Sequence, residues 1–127
     1  MLTNASVYPT LPVTNLNRSR DFYGKKLGLQ VEDDRSPEGI LYKAGDNTKL
    51  FIYQRPPSPA SHTLAAFRLQ NIEATIDELT KNGVVFEHYD YPDLKTDDKG
   101  IATRDQIKAA WFKDPDGNIL GVTQENT

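Results

Sequence analysis

The chain has 127 residues, room for one domain with its own hydrophobic core, and its 15 basic and 18 acidic side chains give a net charge of −3. No basic stripe suited to phosphates stands out, no apolar run approaches bilayer length, and Met1-Leu2-Thr3-Asn4 does not open like a signal peptide, so neither nucleic acid nor membrane is an expected partner. The absence of cysteine excludes disulfides, a thiol nucleophile and thiolate metal sites, and fits a cytoplasmic protein.

Val7, Thr10, Leu11 and Val13 form a β-prone run interrupted by Pro9 and Pro12. Proline lacks a ladder donor, so this strand is expected at a sheet edge or paired on one side only. Asn15 or Thr14 can cap the helix that follows, in which Leu16, Tyr23 and Leu27 fall near helical spacing. Gly28 suits the left-handed residue that ends a helix. Strands are expected at 29–33, 40–44 and 49–54, the last two joined by the turn Gly45-Asp46-Asn47. Residues 55–61, with three prolines, read as an extended linker.

The same order then returns. A strand is expected at 62–69, followed by a helix capped by Asn71, with Ile72, Ile76 and Leu79 as its buried stripe and Gly83 as its end. A strand is expected at 84–89. The polar stretch 90–106 reads as a long solvated loop, with Tyr89 and Tyr91 as candidate lid contacts. Strands at 107–113 and 119–124 close the set around Asp114-Pro115-Asp116-Gly117-Asn118. In that turn Pro fixes φ, Gly and Asn tolerate positive φ, and Asp bonds its own backbone.

The return is also visible residue by residue. Shifted by 56 positions, Asn15-Leu16 falls on Asn71-Ile72, Ser19 on Thr75, Asp21 on Asp77 and Lys25 on Lys81; one extra residue, Leu27, then brings Gly28 onto Gly83. A repeat of this size implies two copies of one supersecondary unit about a pseudo-two-fold axis, with a groove between them. The expected fold is therefore α+β: two βαβββ modules, at 5–54 and 62–125, forming a cupped mixed sheet within a single domain.

Asn15-Leu16-x-Arg18-Ser19-x-Asp21-Phe22-Tyr23-x-x-x-Leu27-Gly28 and Phe112-Lys113-Asp114-Pro115-Asp116-Gly117-Asn118, in that order on a doubled βαβββ pattern, resemble the vicinal oxygen chelate superfamily. That superfamily includes glyoxalase I, bleomycin resistance proteins, fosfomycin resistance enzymes, extradiol dioxygenases and methylmalonyl-CoA epimerase. The resemblance covers nearly the whole chain and implies a groove commonly completed by a second subunit, hence a homodimer. It also implies a divalent metal held by His, Gln or Glu from the first strand of each module and the last strand of one or both. Carried onto this chain, those positions fall on Tyr8, Leu64, Gly121, and Leu50 or Phe51 depending on register. Leu64, Gly121, Leu50 and Phe51 cannot bind a metal and tyrosinate is a rare ligand, so no metal or other cofactor is expected.

What remains is a ligand-binding reading. It places a small apolar or aromatic molecule, as in the bleomycin resistance branch, against Tyr8, Leu50, Leu64 and one aromatic of the pair Trp111 and Phe112, which point to opposite faces. His62 shares the Leu64 face and is a candidate base or hydrogen-bond donor, with a plain surface role as the alternative. Arg68 is a candidate anchor for an anionic ligand, against the alternative of a solvent salt bridge. Tyr53 and Phe51 read as core. The competing function is a metal-dependent lyase, isomerase or dioxygenase of the same superfamily with atypical ligands.

Overall fold

The computed structural model describes residues 1–125, which divide into two compact units, one over Met1–Pro59 and one from Ala60 onward. Each builds its own four-stranded mixed sheet.

In the first unit, β1 (Thr10–Val13), β2 (Gln30–Asp33), β3 (Gly39–Lys43) and β4 (Lys49–Gln54) are arranged β1-β4-β3-β2. β1 runs parallel to β4 and pairs on that side alone, as its prolines require. The helix after β1 starts as α1 (Leu16–Ser19), whose first turn is capped by the Asn15 side chain accepting from the Arg18 N–H at 3.0 Å. It then widens into a π-helical stretch, Arg20–Lys26. There the Leu27 N–H reaches five residues back to the Phe22 carbonyl (2.9 Å), and Leu29 reaches Tyr23 (3.0 Å) around Gly28 at φ 77°. An additional residue inside a helix is accommodated as π-turns. This is where Leu27, the residue that breaks the repeat's spacing, is absorbed.

The second unit carries β5 (Thr63–Arg68), α2 (Ile72–Lys81), the small hairpin β6 (Asp90–Tyr91) and β7 (Leu94–Lys95), then β8 (Ala102–Arg104), β9 (Ile107–Lys113) and β10 (Ile119–Glu125). Its main sheet is ordered β5-β10-β9-β8. α2 has the regular spacing the first helix lost. Asn71 caps its start, accepting from the Ala74 N–H at 3.1 Å. Its end is a Schellman turn at Gly83 (φ 98°), with Val84 N–H donating to the Leu79 carbonyl and Gly83 N–H to that of Thr80, both at 3.0 Å. Ten residues are too few for a stable isolated helix, for which about 12–15 are needed, so packing of Ile72, Ile76 and Leu79 on the sheet holds it. Gln124 adds a tie between elements: its Oε1 accepts from the Ile72 N–H at 2.8 Å, linking β10 to the start of α2.

Two expectations in this unit need correction. The strand expected at 84–89 shrinks to one bridge, Phe86 with Phe112. The chain then leaves the sheet because Tyr89 and Thr96 bond each other, through Tyr89 N–H to Thr96 Oγ1 (2.8 Å) and Thr96 N–H to the Tyr89 carbonyl (2.9 Å), which starts the β6–β7 hairpin. It returns as β8 and resumes pairing with β9, at Ala102 with Ala109. The position beside β9 that β2 holds beside β3 is thus filled in two pieces. The stretch 90–106 is accordingly not one loop.

The turn between β9 and β10 forms as its sequence requires. The buried Asp114 carboxylate accepts from the backbone N–H of Asp116 and Asn118 (both 2.9 Å) and from Asn118 Nδ2 (2.8 Å), with Gly117 at φ 85°.

Candidate functional site

Alternation along the strands sorts each sheet into two faces. In the second unit one face packs on α2: Phe112 (1% exposed) lies edge-on to Phe86 at 5.4 Å, while Leu120, Val122 and Ala110 fill the layer beside it. Lys108, two residues from Ala110, confirms the facing by its ion pair with Glu73 of α2 at 2.6 Å. The register then fixes the opposite face. One row across the sheet reads Ala66, Gly121, Trp111, and the next reads Arg68, Thr123, Ala109, Ala102. Small side chains make its centre.

Trp111 stands at the border of that floor, half-buried. Tyr89 meets it edge-to-face at 5.7 Å, and Tyr91 stacks on Tyr89 at 6.1 Å. A Cβ on Gly121 would lie 3.5 Å from Trp111 Cδ1, so the indole rests directly against the glycine. Burial, and next the neighbouring Glu87 carboxylate, push the Tyr89 phenol above its ordinary range, which keeps it a neutral donor. On the other side of β10, Arg68 meets Glu125 at 3.5 Å, with the two side chains 78% and 48% exposed.

The first unit presents a comparable face. Phe51 and Tyr53 stack at 5.9 Å with their planes nearly parallel, and with Ser36, Glu38, Gln54 and Arg55 they line a cavity of about 470 Å³. Neither ring belongs to the core, contrary to the sequence reading. Leu50 does belong to it. It lies opposite Tyr42, whose ring is 6.1 Å from Tyr23 of the helix, and it is 2% exposed, so it cannot line an open face. Phe51, one residue on, turns to the opposite face of the sheet. Of the pair left open by the sequence, Phe112 is the aromatic buried on the α2 side and Trp111 the one that faces away.

Of the other candidates, Tyr8 precedes β1 and is half-exposed, and His62 is exposed just before β5. Leu64 sits at a register shift, with Thr63 and Ala65 on either side paired to successive residues of β10. Arg68 is exposed and paired with Glu125. Gly121 lies beneath Trp111. Arg104 was missed: it is exposed, stands opposite Ile107 on the Trp111 face, and has no ion-pair partner among the described residues. The alternation of Ala102, Thr103 and Arg104 is its only sequence trace, hidden in a stretch of loop composition.

A family model, the Glyoxalase/Bleomycin resistance protein/Dioxygenase superfamily, matches residues 6–122. The chain belongs to this superfamily. Solved structures similar to it include TnmS3, an antibiotic binding protein from Streptomyces sp. CB03234, at 22% identity and a TM-score of 0.68, covering 99% of both chains. A glyoxalase/bleomycin resistance protein from the same Streptomyces strain is 23% identical with a TM-score of 0.66, covering 94% of this chain and 100% of that one. A glyoxalase/bleomycin resistance protein/dioxygenase from Alicyclobacillus acidocaldarius is 19% identical with a TM-score of 0.69, covering 98% and 93%. These likenesses speak for the fold. No curated protein gives a significant match.

Of the positions to which the resemblance carries a metal ligand, Tyr8 alone bears a side chain with a donor atom, a phenol that is half-exposed. Leu64, Gly121 and either Leu50 or Phe51 offer no donor atom, Gln124 Oε1 is engaged by the helix start, and Glu125 pairs with Arg68. Among the described residues, no group of three or more His, Asp or Glu side chains converges on one point.

Proposed function

We propose that this protein binds a small, flat, aromatic molecule without a metal, the ring resting on the small-residue floor of the second sheet against Trp111. The observation that carries the reading is the Trp111–Tyr89–Tyr91 cluster beside Gly121 and Ala66. Offset and edge-to-face contacts with aromatic rings contribute about 0.5–1.5 kcal/mol each beyond buried area. Tyr89 adds a neutral hydroxyl beside the apolar floor of Ala66, Gly121 and Trp111, the mix that fixes a ligand's orientation. The antibiotic-binding neighbour supports a sequestering or carrying role, and the homodimer and cytoplasmic setting implied by the resemblance belong to the same proposal.

The test is a thermal-shift screen of planar aromatic compounds on chelator-treated protein. A ligand at 100 times its Kd should stabilise by about 2.7 kcal/mol, a shift of several degrees, and Trp111→Ala should abolish it. Stabilisation by Ni, Mn, Zn or Fe(II) alone, with no response to any aromatic compound, would instead favour a metal-dependent lyase, isomerase or dioxygenase.

A further inference from the structure

We infer that the ligand of the Trp111 face is an aromatic anion, a ring bearing a carboxylate or comparable group, with Arg68 and Arg104 receiving its charge. The inference rests on the binding reading above and adds the chemical class.

Both arginines stand on this face by register. Arg68 is level with Thr123, one strand over from Trp111's neighbour Gly121, and Arg104 is opposite Ile107 at the other edge. Arg68 and Trp111 stand on the strands either side of β10, two residues out of level, so their backbones are about 12 Å apart, a gap that an aromatic ring bearing an acid group can bridge between the two side chains. Two acidic residues stand on or beside this face: Glu87, next to Tyr89, pairs with Lys113 at 3.4 Å, and Glu125 pairs with Arg68, while Arg104 has no ion-pair partner among the described residues. The face thus carries one more positive than negative charge, although the chain as a whole is at −3. The Arg68–Glu125 pair is exposed on both sides, and pairs of that kind contribute little, so a ligand carboxylate can take Glu125's place at small cost. Guanidinium groups suit this exchange because they present a planar fork to a carboxylate.

The experiment uses matched pairs of one-, two- and three-ring aromatic compounds, each as the carboxylate and as the neutral carbinol, titrated calorimetrically against the full chain with Trp111 fluorescence as a second readout. The expected result is a carboxylate binding at least tenfold more tightly than its carbinol. Arg68→Gln and Arg104→Gln should each erode that preference by weakening the carboxylate at least fivefold more than the carbinol, and Glu125→Gln should increase it. Equal affinities within every pair that binds would overturn this inference and leave the binding reading intact. No binding by either member of any pair would sink both.

Discussion

Gly121 is the position where the proposed floor is most directly open to perturbation. A Cβ there would meet Trp111 Cδ1 at 3.5 Å, Trp111 Nε1 at 3.6 Å and the Ala110 carbonyl at 3.6 Å, all ordinary contacts. Gly121→Ala should therefore be tolerated and even gain about 0.5–1 kcal/mol, since glycine in a strand loses more chain entropy than alanine. Gly121→Leu is different, because its outer carbons must enter the space the indole occupies or cover the floor beside it. Overpacking of this sort costs about 1–3 kcal/mol, and the ring is forced off its seat. Trp111 is the sole tryptophan, so urea unfolding followed by its fluorescence and by far-UV dichroism reads both effects. The leucine variant should show a shifted emission maximum, a lower midpoint and at least tenfold weaker binding of any aromatic ligand. Wild-type emission and undiminished binding in Gly121→Leu, or a clear loss of stability in Gly121→Ala, would refute the placement of Trp111 over this glycine.

Burial raises the Tyr42 phenol above its usual range, with Arg20 opposing and Asp34 reinforcing, and its hydroxyl has no hydrogen-bond partner among the described residues. Because the folded value is the higher, the unfolded chain gives up this proton first, so stability is intact below about pH 10 and falls above it. Tyr42→Phe should flatten that fall and gain about 1 kcal/mol at neutral pH, as measured by denaturation across pH. Asp114→Ala removes the acceptor of three hydrogen bonds in the β9–β10 turn and should lower stability by at least about 2 kcal/mol in the same assay. Gln124→Ala leaves the Ile72 N–H without its acceptor and should cost about 1 kcal/mol, visible as faster amide exchange in the first turn of α2.

Features set by local chemistry were legible in the sequence. Asn15 and Asn71 cap helices, Gly28 and Gly83 take positive φ, and the Asp114–Asn118 turn closes on its own carboxylate. Features set by what covers a strand were not. Leu50 and Phe51 are equally apolar, and only the position of Tyr23 over Tyr42 decides which of them turns inward. Trp111 and Phe112 pose the same problem, decided by Phe86. The break in the repeat at Leu27 was visible, but not its resolution as π-turns, which preserve the cap and the terminal glycine together. β8 escaped because three short residues regain a sheet edge only after Tyr89 and Thr96 have turned the chain away.

The claim that an aromatic ring meets Trp111 without a metal is tested most directly by a fluorescence titration of protein dialysed against chelator and shown free of metal by elemental analysis. A compound that stabilises the protein should change Trp111 emission saturably, with the same Kd before and after divalent metals are restored. Emission that responds only once a metal is added, or a bound aromatic compound that leaves Trp111 unchanged, would contradict it.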